Sequence, residues 1–311
     1  MAAKQTIKSK SSKKADAVLK KPAKKPAKKT EDKTLKEEKE VVTKISTEPE
    51  TGYYAKIRAL RKKWKEQENK SKSWKIRMTV LRCLILSAWV LLALFGSQYL
   101  VAGALVILNR VFGLTVQLNA TVETILSAVI YAVCLVVVIF LPWLVLKEKT
   151  TRDELGLRGL LTWTDIGLAI VGFVLSLILA FVFTALLQWI LPFIDWEQQQ
   201  KVGYENISGT ADMLMAFLAL VVFAPIAEEI VFRGWLYGKL RLRIPAIPAI
   251  AITSILFGIA HLQMNVAVAV ASMSIVMCLI REYTGTIWGG MLVHMLKNGL
   301  AYYLLFVYGI A

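Results

Sequence analysis

Cysteine and histidine are scarce in this chain, and each scarcity removes a class of chemistry. The three cysteines, Cys83, Cys134 and Cys278, all fall in apolar segments. A thiol there behaves as a small hydrophobe, so neither a disulfide framework nor a CxxC metal site is supported. His261 and His294 are the only histidines in 311 residues, and no HExxH pairing sets two imidazoles on one helix. No serine or cysteine stands at helical spacing beside either histidine, which leaves no evident nucleophile dyad. An apolar leader is missing as well. Residues 1 to 78 are polar throughout, so no cleavable signal peptide is expected and the first apolar segment must act as its own anchor.

What is present is sharply segregated. Residues 1 to 78 hold 25 of the 38 Lys and Arg but 10 of the 22 acids, a net +15, whereas residues 79 to 311 net +1. Residues 1–50, with the near repeat KPAKKPAKK, cannot bury enough apolar surface to offset chain entropy and are expected to be a disordered, Lys-rich tail. Residues 51–78 interleave Ile57, Leu60, Trp64 and Trp74 with basic side chains. This pattern suits a juxtamembrane helix on anionic lipid headgroups, which is preferred here over nucleic acid as the partner of the basic tail.

Residues 79–311 form the third unit, a multi-span membrane core. Apolar segments able to cross roughly 30 Å of hydrocarbon recur in it. They lie at 80–101, 123–146, 166–191, 212–233, 246–263, 266–281 and 286–308. The expected fold is therefore all-α, a polytopic membrane bundle of about seven spans, with six to eight allowed. Basic residues collect in the tail and in the 147–164 and 234–245 loops, while Asp195, Glu197 and Glu205 face Lys201 in the 192–211 loop. That alternation predicts an integral protein of the plasma membrane with a cytoplasmic N-terminus.

Ionisable groups inside such a body cost roughly 2.5–3.5 kcal/mol each on insertion scales and are functional candidates by default. They are Glu228, Glu229 and Arg233 late in the fourth segment, His261 late in the fifth, and His294, Lys297 and Asn298 in the seventh. Glu229 and Arg233 stand at i and i+4 in the order that favours an ion pair. Glu228 points about 100° away and is free to face another neighbour. His294 and Asn298, and Phe257 and His261, repeat the i, i+4 spacing. Pro225 lacks a helix donor and should free a carbonyl nearby. Lys297 is expected to snorkel or meet a helix terminus.

Each of these features has a plainer reading as an interfacial ion pair or an interhelical hydrogen bond. Their conjunction in the last third of the chain favours a shared polar chamber. In it Glu228 would act as general base on a water, and a histidine with an asparagine amide would supply donors for a tetrahedral oxyanion. Glu229, held by Arg233, would orient its neighbour.

The stretches EEIVFR (Glu228 to Arg233), FGIAH (Phe257 to His261) and HMLKN (His294 to Asn298) resemble, in order, the EExxxR, FxxxH and HxxxN motifs of the CPBP intramembrane proteases. That family, also called Abi, includes the type II CaaX prenyl endopeptidases and bacteriocin-processing or self-immunity proteins. The motif region is 224–300.

The resemblance implies an intramembrane endopeptidase acting on a membrane-associated peptide or protein. Glu228 and His261 would activate water, His294 and Asn298 would form the oxyanion hole, and Glu229 and Arg233 would support them. No cofactor is favoured. The alternative is zinc held by Glu228, His261 and His294, a reasonable set of metal-binding donors. Two other functions compete: a proton-coupled transporter, which an internal repeat would signal and none is seen, and a catalytically idle scaffold or immunity factor. One conflict is left open. The segment bounds place Glu228 towards the basic end of its span and His261 towards the far end of the next.

Overall fold

The computed structural model describes residue 59 and residues 72–309, apart from 199, 201, 205, 206 and 208. The expected tail at 1–50 and the amphipathic segment up to residue 71, Ala59 excepted, lie outside the described residues.

Every regular element among the described residues is helical. Helix α1 (Lys72–Phe112) has 41 residues and a length of about 60 Å, roughly twice the hydrocarbon thickness. It therefore runs well past the 80–101 segment at both ends. Helix α2 (Ala120–Val145) opens on Asn119, whose side chain accepts the Val122 N–H at 2.9 Å. That bond satisfies one of the helix's unpaired first-turn donors. The short helix α3 (Arg152–Leu155) is capped by Thr151. Helix α4 (Trp163–Ile190) begins with a capping box between Thr162 and Asp165. Trp163 and Trp189, at its two ends, are both exposed, as residues of an interface belt should be.

Helix α5 (Thr210–Arg241) spans 32 residues. Two π-helical stretches, Leu218–Phe223 and Ile230–Leu236, flank its Ala224–Glu229 turn. Helix α6 (Ala246–Ile259) follows Pro245 and has 14 residues. Helices α7 (Met264–Thr284) and α8 (Trp288–Val307) complete the core. Among the described residues six helices are thus long and apolar enough to cross a membrane, and α6 is the short exception. The seventh expected span is a helix of about 21 Å that cannot cross hydrocarbon of about 30 Å on its own. The chain is an integral membrane protein.

More than half of the most apolar stretch of α7 (56 %) is buried inside the protein, against 17 % for α1, α2 and α4. Helix α7 is therefore the central post, and the other three turn most of their apolar surface to lipid. Close packing of α6 on α7 depends on Gly258, where a Cβ would lie 2.8 Å from the Ala267 carbonyl oxygen. Small residues let membrane helices approach in this way, and dispersion between backbones then substitutes for the missing hydrophobic drive.

Polar clasps fasten the two ends of the bundle. On the basic face, Tyr237 and Arg241 of α5 bond Glu282 of α7. Lys239 lies 3.5 Å from Glu154 of α3, and Arg281 donates to the carbonyls of Gly285 and Glu154. Ile287 N–H reaches Gly156 O at 3.1 Å. Gly156 has φ +73, and a Cβ there would collide with the Arg281 guanidinium, so both conformation and space demand glycine. On the opposite face, the connection after α4 meets the α6–α7 turn through Asn265, which donates to Gln198 O at 2.6 Å. It also meets the start of α2, where Tyr204 N–H donates to Glu123 at 2.8 Å. Burial pushes the Tyr204 phenol above its ordinary pKa.

Candidate active site

The polar chamber assembles around the middle of α5. Glu228 is the nineteenth of that helix's 32 residues, because α5 continues past Trp235 to Arg241 instead of ending near 233. His261 sits in the turn that ends the short α6. Both features bring the two residues to a common depth, and both line one cavity of about 330 Å³ with Tyr131, Gln98 and Phe257. The conflict left by the sequence is thereby removed.

Glu229 and Arg233 are completely buried and paired at 2.8 Å. The same carboxylate oxygen, Glu229 Oε1, accepts from His294 Nδ1 at 3.0 Å. Glu228 Oε2 lies 3.8 Å from His294 Nε2, so the imidazole stands between the two glutamates. The other Glu228 oxygen, Oε1, accepts the Tyr131 hydroxyl at 2.7 Å. His261 Nδ1 lies 2.9 Å from the Phe257 carbonyl oxygen. In the neutral imidazole that acceptor puts the proton on Nδ1 and leaves Nε2 with a lone pair.

Phe257 organises the cluster as a partition. Its ring packs edge-on against His261 and His294, with centroids 5.0 and 5.6 Å away. The Arg233 guanidinium lies 4.2 Å from the ring centroid, at a distance where the aromatic face stabilises a cation deprived of water.

Asn298 is positioned by a gap in the α5 hydrogen-bond ladder. In the π register before Pro225, Ala224 N–H bonds to Ala219 O, five residues back. The next donor in that register would serve Leu220 O, but it is Pro225, which has no N–H. Asn298 Nδ2 donates to Leu220 O instead, at 2.9 Å. The freed carbonyl expected from Pro225 is therefore present and occupied, and one Asn298 N–H remains. Neither His294 nor Asn298 is among the residues lining the cavity.

The zinc alternative is not assembled. Among the described residues no three His, Cys, Asp or Glu side chains are grouped to hold a metal. An anchored Nδ1 on each histidine would suit a ligand, but the spacing does not bring Glu228, His261 and His294 into one coordination shell.

Residues 210–300 match the family described as type II CAAX prenyl endopeptidase, Rce1-like. The match covers α5, α6, α7 and most of α8, the elements that carry all six candidate residues, and agrees with the resemblance to the CPBP intramembrane proteases. At family level this Rce1-like region supports a protease-type enzyme acting on a membrane-associated peptide or protein. No curated protein and no solved structure gives a significant match to the chain.

One residue of the site was not on the sequence's candidate list. Tyr131 lies outside the Rce1-like region, and its only sequence signal is a tyrosine at the middle of an apolar segment, away from the interface belt. Lys297, which the sequence did place among the ionisable candidates, is the tenth of the 20 residues of α8, about 14 Å from either end.

Proposed function

We propose that the protein is a metal-free intramembrane endopeptidase of the CaaX-processing type, in which Glu228 and His261 activate the attacking water. The observation that carries this reading is the shared cavity. Glu228 has one oxygen tied to Tyr131, and His261 enters the same cavity with Nδ1 held at the Phe257 carbonyl, which in the neutral imidazole leaves Nε2 as the acceptor.

A water held between them gives a proton to Glu228 as its oxygen attacks the scissile carbonyl. His294 and the remaining Asn298 N–H donate to the oxyanion as it forms. His294 already gives its Nδ1 proton to Glu229, so a second donation requires a proton on Nε2 as well. The Glu229 carboxylate stabilises that cation, and Arg233 fixes Glu229. On collapse, the proton held by Glu228 passes to the leaving amine and the peptide C–N bond breaks. The site works at mid-membrane depth, where desolvation strengthens each of these interactions.

The face carrying Lys147, Lys149, Arg152, Arg158, Lys239, Arg241 and Arg243 is the cytoplasmic one under the positive-inside rule. On this basis we infer a cytoplasmic N-terminus, with the basic tail meeting anionic lipid of the plasma membrane.

The test is cleavage of a prenylated C-terminal peptide by the purified protein in lipid nanodiscs. Wild type should release the tripeptide, and Glu228→Gln and His261→Ala should each abolish release while eluting as folded protein. Retained cleavage in either variant refutes the mechanism.

A further inference from the structure

A second cavity lies on the basic face, where the first three turns of α1 meet the turn joining α5 to α6. Its volume is about 660 Å³, against about 330 Å³ for the catalytic cavity. Along α1 the two are separated by the twelve steps from Arg82 to Leu94, about 18 Å. Trp74, Ile76 and Val80 give this groove an apolar wall and are each about half exposed. Lys75, Arg82 and Arg243 line it too, and no acidic side chain is among its described lining residues. Arg243 donates from Nη1 to Lys239 O at 2.8 Å, which holds its guanidinium in place without neutralising it. Burial lowers the Arg243 pKa from its ordinary value, and the neighbouring Arg82 charge lowers it further against the opposing charge of the exposed Glu148. Arg82 makes no hydrogen bond or ion pair among the described residues. Two like charges thus share an apolar groove whose lining supplies them no counter-ion.

The occupant that fits must carry negative charge beside hydrocarbon. Residues 1–71 do not qualify, with 22 Lys and Arg against 10 Asp and Glu. A free phosphate would satisfy the arginines but leave the apolar wall bare. We propose that the groove holds one anionic phospholipid, with its phosphate between Arg82 and Arg243 and its acyl chains descending past Val80 and the exposed Ile85. Helical side chains tilt towards the N-terminus of their helix, so the Arg82 guanidinium lies over the preceding turn and leaves Val80 and Ile85 on its membrane side. The planar fork of arginine binds phosphate oxygens in pairs, and basic pockets between spans are suited to such headgroups. Trp74, a turn nearer the helix start, takes the headgroup level that tryptophan favours. A lipid in this position ties the start of α1 to the turn that begins α6, whose other end carries His261. The site belongs to the membrane core, is separate from the contact of the basic tail with the bilayer surface, and does not depend on the hydrolase reading.

The full chain in a neutral detergent is titrated with fluorescent phosphatidylglycerol and with phosphatidylcholine carrying the same acyl chains. Wild type should bind phosphatidylglycerol saturably, roughly tenfold to a hundredfold more tightly than phosphatidylcholine, the range expected for charge-assisted hydrogen bonds to the phosphate. Arg82→Glu should remove the preference, and Arg82→Lys should keep part of it. Arg82 is exposed, so both variants should elute as folded protein, and Arg243→Gln reads the other side of the groove. A chain carrying Lys21→Gln, Lys24→Gln, Lys25→Gln, Lys28→Gln and Lys29→Gln should retain the preference, which separates the groove from the tail. Equal affinity of wild type for the two lipids overturns the proposal, and so does a preference that survives in Arg82→Glu or disappears in the tail variant. Displacement of the bound lipid by an equal concentration of inorganic phosphate, or of a short acidic peptide, also overturns it and assigns the arginines to that ligand instead.

Discussion

Two clusters of buried charge lie along α5, and they are built on opposite plans. On the basic face, Arg241, Glu282, Tyr237, Lys239, Glu154 and Arg281 interlock three separate elements. Their partners are other side chains and carbonyls of the fold. At mid-helix, by contrast, Glu229 keeps one oxygen without a hydrogen-bond partner, and so do two of the Arg233 nitrogens. Glu228 stands outside that pair and lines the cavity. A fastener uses most of its groups on one another, whereas a site holds its groups without exhausting them. Charge in an apolar body is therefore a weak signal until one asks what each group still has to offer.

The strongest break in the comparison is Glu228→Gln, which should lower the rate of peptide release by about 10²–10⁴-fold without changing the melting temperature in nanodiscs. A fall in both would make Glu228 part of the fastener. Arg241→Met should behave in the opposite way. It leaves Glu282 short of its main partner and should cost about 3–5 kcal/mol of stability in denaturation curves, while the folded fraction keeps its activity.

Asn298→Leu is intermediate. It strands the Leu220 carbonyl that Pro225 left open, at a cost of about 1–3 kcal/mol, and it also removes an oxyanion donor, so both readouts should fall. Tyr131→Phe should slow release by only about tenfold, read as kcat under saturating peptide, because Glu228 survives and loses one donor. The smallest effect expected is none at all: exhaustive chelation should leave activity unchanged, and its loss would reinstate the zinc set of Glu228, His261 and His294.

The helical character of the core, the polar residues and their pairings by i, i+4 spacing were readable because helical periodicity is local. The Glu229–Arg233 bond and the freed carbonyl near Pro225 both follow from spacing alone. Depth was not readable. It depended on α5 running to Arg241 and on α6 stopping after 14 residues, and apolar composition continues across both boundaries without marking them. Tyr131 escaped because its role is set by a contact 97 positions away, which no local pattern encodes. The two π stretches escaped because a π turn differs from an α turn by one register step, not by residue type. The same step decides which carbonyl Asn298 meets.

The brevity of α6 has a consequence for the lipid around it. A helix of about 21 Å beside others of 30 Å or more creates a negative hydrophobic mismatch, and a bilayer answers by thinning against the short side. Thinner hydrocarbon beside His261 shortens the path by which water reaches the cavity and by which a lipid-tethered peptide leaves the acyl layer. Acyl-chain length then becomes a control on turnover: a membrane of shorter lipids lowers the deformation energy, and a thicker, more ordered one raises it.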